Sequence, residues 1–129
     1  MKNFYKILIS LLIFPFSINA SEVYYCVEEA KVGFEPKYNY ESSNYKAQKY
    51  TVQIDFNNRQ IISEAFLFSG SNTMGCYLSD LTSSMYCANT LGYLFAINKY
   101  SLKFHLSRAY LKSNQGDSIN IAHGQCEKF

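Results

Sequence analysis

Catalytic signatures are scarce in this 129-residue sequence. No G-x-S-x-G elbow is present, which excludes the usual exposed serine nucleophile of an α/β-hydrolase. Dinucleotide-binding glycine patterns and calcium loops are absent too. The stretch "SGSNTMG" has a P-loop's glycine spacing, but no Lys-Ser/Thr follows it, so it reads as a plain loop. Only two histidines occur, His105 and His123, and no close-spaced His or Cys ligand motif accompanies them. No metal or cofactor is therefore expected. Glu28 and Glu29 are adjacent, so on a strand their side chains diverge and make a poor acid–base pair. No internal repeat, heptad or low-complexity tract is present. After the first twenty residues no apolar run is long enough to span a membrane.

The first twenty residues differ from the rest. "MKNFYKILISLLIFPFSINA" has two lysines, an apolar run broken by Pro15, and a small residue at Ala20. This is the layout of a secretory signal peptide, with cleavage after Ala20. It predicts a single exported β domain over residues 21–129, in the periplasm or outside the cell. The chain carries 12 basic and 10 acidic residues. Lys2 and Lys6 leave with the leader, so ten basic residues then face ten acidic ones. A nucleic-acid partner is excluded on that balance, because such binding needs a basic field.

The composition beyond residue 20 favours strands, being rich in Tyr, Phe, Ile, Val and Leu with turn residues at short intervals. In "YTVQIDF", Tyr50, Val52, Ile54 and Phe56 alternate with Thr51, Gln53 and Asp55, the period of a half-buried antiparallel strand. The next strand, 61–68, has two registers open to it. One sets Ile61, Ala65 and Leu67 across from the core face; the other sets Ile62, Phe66 and Phe68 there. "GYLFAINKYSLKFHL" predicts a hairpin in which Ile97 pairs with Leu102, Phe95 with Phe104 and Tyr93 with Leu106, with a bulge or strand exit near Arg108. "EPKYNYESSNYKAQK" is polar and reads as an exposed connection; its Tyr38, Tyr40 and Tyr45 are candidate binding residues.

Four cysteines in an exported chain predict two disulfides. In "CYLSDLTSSMYC", pairing Cys76 with Cys87 brings Tyr77 to Tyr86, Leu78 to Met85 and Ser79 to Ser84 around a turn at "DLTS". Cys26 and Cys126 remain, one in the first strand and one in the last. Their parities place them away from the aliphatic face of Val23, Val27, Ile119 and Ile121. A bridge between them makes those strands neighbours and closes the sheet. His123 shares the parity of Ile119 and Ile121, which puts it at the rim of the core.

With "VYYC", "YTVQIDFNN", "LFAINKYSLKF" and the terminal "HGQCEKF", the chain resembles a group of small exported β proteins of proteobacteria, a resemblance that implies no particular activity. It is also similar, more loosely, to the periplasmic inhibitors of C-type lysozyme, small disulfide-bearing β-barrels with a "S-G-x-x" segment that meets the enzyme's cleft. Ser69, Gly70 and Ser71 match part of that segment. Met74 stands where that family has a tyrosine, the chain has no tryptophan, and the Cys76–Cys87 pair is additional.

The expected fold is all-β: one antiparallel meander of seven or eight strands, closing into a small barrel or strongly curved sheet with two disulfides. The expected function is non-enzymatic binding of an envelope protein, a glycan or a small apolar ligand by a monomer. The alternative is inhibition of a cell-wall hydrolase such as C-type lysozyme.

Overall fold

A computed structural model describes residues 21–63, 73–110 and 118–129. Residues 1–20, 64–72 and 111–117 lie outside the described residues. So do Ser69, Gly70 and Ser71, and with them the segment that carries the inhibitor resemblance.

Among the described residues, nine strands form one antiparallel sheet. They are β1 (Glu22–Phe34), β2 (Ser42–Asn44), β3 (Lys49–Asp55), β4 (Gln60–Ile62), β5 (Thr73–Ser79), β6 (Ser84–Ala88), β7 (Tyr93–Asn98), β8 (Lys103–Tyr110) and β9 (Ser118–Lys128). Apart from β2, consecutive strands pair, and β1 pairs with β9 as well as β3. The result is a closed eight-stranded barrel with β2 as an extra strand along the far half of β1. Closure removes the exposed edges that an open β-sheet would present.

Both predicted disulfides are present, Cys26–Cys126 and Cys76–Cys87. The central hairpin has the expected register, with Cys76 opposite Cys87 and Ser79 opposite Ser84. The chain end is held beyond the bridge. The Phe129 N–H donates to the Val23 carbonyl, Lys128 pairs with Glu22, and the Phe129 ring meets Tyr25 edge-on at 6.3 Å.

Three expectations are corrected. First, the cysteines of the end-to-end bridge point into the core, while Val23, Ile119 and Ile121 point outward. Inside, Tyr24, Cys26, Tyr50, Phe95 and Phe104 supply the apolar volume that the aliphatic face was expected to provide. Second, the β7–β8 register is shifted by two residues. Ile97 faces Phe104, Phe95 faces Leu106 and Tyr93 faces Arg108. The shift preserves parity, so the same side chains face inward. Its cause is the turn, where Leu102 takes a left-handed conformation (φ 55°) and its N–H bonds back to Asn98. Pairing runs unbroken through Arg108 to Tyr110 without a bulge. Third, the polar connection after Phe34 is not wholly loop. It holds a short 3-10 turn at Pro36–Tyr38 and the strand β2.

The open register of the fourth strand is decided at Ile61, which faces Ile54 and is fully buried. Ala65, Leu67, Phe66 and Phe68 fall outside the described residues.

Aromatic side chains pack closely inside the barrel. Phe95 stacks on Phe104 at 5.5 Å, and Tyr50 meets Phe104 edge-on at 5.8 Å. Gly124 shows how close this packing is. A methyl group there would collide with the Val27 carbonyl and sit 2.7 Å from the Phe104 ring. An eight-stranded barrel is just wide enough for its own side chains to fill it.

Candidate functional site

The β1–β9 ladder contains one irregularity. Glu28 faces Gly124, but the next pair is Ala30 with His123, so Glu29 is an extra residue in β1. Such a bulge shifts which residues face inward. Before it, Tyr24, Cys26 and Glu28 are buried; beyond it, Gly33 is buried and Lys31 half-buried. Glu28 and Glu29 thus diverge as expected, and each gains a defined surrounding.

Glu28 goes inward, with its side chain fully buried. Its Oε2 accepts a 2.9 Å hydrogen bond from the Gln48 N–H, and its Oε1 lies 3.7 Å from Lys31 Nζ. Lys31 also donates to Gln48 Oε1 at 3.4 Å. A buried carboxylate needs such partners, because losing water without them is costly. Burial pushes the nearby Tyr50 hydroxyl well above the usual tyrosine range, and the Glu28 charge adds to the shift.

Glu29 goes outward. Its Oε2 lies 3.5 Å from His123 Nδ1, with the two side chains 60% and 53% exposed. His123 faces His105 directly across the β8–β9 ladder, their ring centroids 6.3 Å apart and tilted by 48°. On either side the row continues with alanine, Ala96 beside His105 and Ala30 beside His123. His123 therefore sits on the outer wall of the barrel rather than at the rim of the core. Its parity with Ile119 and Ile121 holds, but the face they share is the exterior.

The same wall carries exposed apolar groups. Val32 faces Ile121 and Phe34 faces Ile119 across the β1–β9 ladder. Ile119 and Ile121 are 43% and 44% exposed, and Phe34 is exposed as well. An open groove of about 310 Å³ joins this patch to the histidines, lined by Ala30, Val32, Asn44, His105, Ile121 and His123. Among the described residues no group of three His, Cys, Asp or Glu side chains could hold a metal ion.

The candidate tyrosines are not gathered into one platform. Tyr38 and Tyr40 are exposed on the β1–β2 connection, with Lys37 Nζ 4.7 Å above the Tyr38 ring. Tyr45 is half-buried, its ring against Gly33. The Glu35 carboxylate raises the Tyr45 pKa, while Tyr45 and Lys37 hold Glu35 below the usual carboxylate range. From the sequence, His105 and Glu29 are each considered alone. The outward face of His105 follows from its alternation with Phe104 and Leu106, but no local pattern places Glu29 beside His123.

Neither a family model, nor a curated protein, nor a solved structure matches this chain.

Proposed function

We propose that this chain is an exported, non-enzymatic binding module that engages a protein of the cell envelope through the outer wall of β1, β9 and β8. The observation that carries this reading is the exposed strip of Phe34, Ile119 and Ile121, continuous with the groove at His105 and His123. An apolar strip rimmed by polar groups is the usual form of a protein-interaction surface. The packing of Tyr50, Phe95 and Phe104 against one another inside the barrel favours recognition at the outer surface over carriage of an apolar ligand. Two disulfides suit an oxidising compartment, and the leader-like residues 1–20 supply the route there.

Photo-crosslinking in the native host tests it. A photoreactive residue replaces Ile121 in one variant. In the other it replaces Tyr77, an exposed residue of β5 on the opposite wall. One discrete protein adduct from position 121 and none from 77 is expected. No adduct from 121, or the same adduct from both positions, overturns the proposal.

A further inference from the structure

We propose that His105 and His123 form a two-imidazole chelate for a divalent transition ion of the zinc or copper class, with Glu29 orienting the His123 ring. The two histidines are direct cross-strand neighbours on the same outer face. With metal–nitrogen bonds of about 2.0–2.1 Å at a tetrahedral angle, two imidazoles sharing an ion have their centroids about 5 Å apart. The observed separation is 6.3 Å, and both rings are exposed, so turning about their side-chain bonds closes the remaining gap of about 1 Å.

The bulge supplies the next part of the site. Glu29 is its extra residue, outward and beside the Ala30–His123 pair, with its carboxylate 3.5 Å from His123 Nδ1. A carboxylate beside Nδ1 favours the tautomer protonated there, whose Nε2 lone pair is free to bind an ion. Glu29 is thus a positioning residue, and His105 and His123 are the direct ligands. Ala96 and Ala30 flank the pair and leave the approach to both rings open. Imidazole donors suit zinc, copper and nickel rather than magnesium or calcium, and water fills the remaining coordination positions.

The inference is independent of the partner reading, since it is tested on the purified protein alone. Zinc chloride and, separately, copper(II) chloride are titrated calorimetrically into residues 21–129 with both disulfides formed. Saturable binding of one ion per chain is expected. His105→Ala and His123→Ala should each weaken it at least tenfold. Glu29→Gln should weaken it by about 10–100-fold, as loss of an outer carboxylate partner does. Copper(II) should selectively broaden the NMR signals of the His105 and His123 rings, a readout that a structural role for these residues would not produce. All three side chains are exposed, so the variants should keep the parent's unfolding midpoint. Absence of saturable binding, or undiminished binding by the two histidine variants, overturns the proposal.

Discussion

Cys26 and Cys126 stand directly opposite each other in β1 and β9, inside the barrel and shielded from solvent. One hundred residues separate them in sequence. Their bridge joins the first described strand to the last, along the seam where the barrel closes. It crosses the most extensive strand pairing among the described residues, which runs from Tyr24–Lys128 to Phe34–Ile119.

Loss of that bridge should be the most damaging cysteine change. A loop of about 100 residues corresponds to about 4.7 kcal/mol in the chain-entropy model, against roughly 3 kcal/mol for a short loop of the Cys76–Cys87 kind. The Cys26→Ala/Cys126→Ala double variant should therefore lose more stability than Cys76→Ala/Cys87→Ala. Urea unfolding of both variants checks the order, and peptide mapping of the unreduced parent checks the pairing.

The local features of this fold were legible where pattern and covalent chemistry agreed. Alternation from Tyr50 to Ile54 gave the strand and its buried face, and Cys76 with Cys87 fixed a hairpin register. Facing was harder at the seam. Both sides of the first and last strands carry apolar residues, so parity alone did not decide between Cys26 and Val23 or between Cys126 and Ile121. The aromatic volume elsewhere in the barrel decided it, and that is a tertiary property. The candidate site was less legible still. A bulge at Glu29 leaves no local composition signal, yet it switches the inward parity of β1 from Tyr24, Cys26 and Glu28 to Lys31 and Gly33, and sets Ala30 opposite His123.

Gly124 should tolerate no side chain. Gly124→Ala would drive a methyl group into the Val27 carbonyl and the Phe104 ring. Overpacking of this kind costs about 1–3 kcal/mol. Gly75→Ala is the control, since the nearest atom to a methyl group there is 4.0 Å away. Thermal unfolding should show a clear drop in Tm for the first variant and almost none for the second.

Stability should decline in alkali. Burial raises the Tyr50 pKa above its ordinary value of 10.0, and burial with the hydrogen bond to Glu22 pushes Tyr24 up to about 12. Above about pH 10 these tyrosines ionise in the unfolded chain before they do in the native one. The native state then holds more protons, so stability falls as pH rises. The contribution is fully present below pH 10 and is lost as pH climbs through the native pKa values. Urea midpoints at pH 9 and pH 11 should show the fall, and Tyr50→Phe should reduce it.

Glu28 is the buried charge whose removal is most informative. Glu28→Ala takes the acceptor from the Gln48 N–H and the counter-charge from Lys31. Leaving such groups unpaired costs about 2–3 kcal/mol, moderated because the Lys31 side chain retains some access to water. Glu28→Gln should cost less, about 1 kcal/mol, since its amide oxygen still accepts from Gln48. The same variant also separates the two causes of the Tyr50 shift. Burial is the larger cause and the Glu28 charge the smaller. Spectrophotometric titration of Glu28→Gln against the parent should therefore show Tyr50 ionising at a lower pH, yet still above an exposed tyrosine. An unchanged Tyr50 titration would mean that the carboxylate, though buried, exerts no field on the ring beside it.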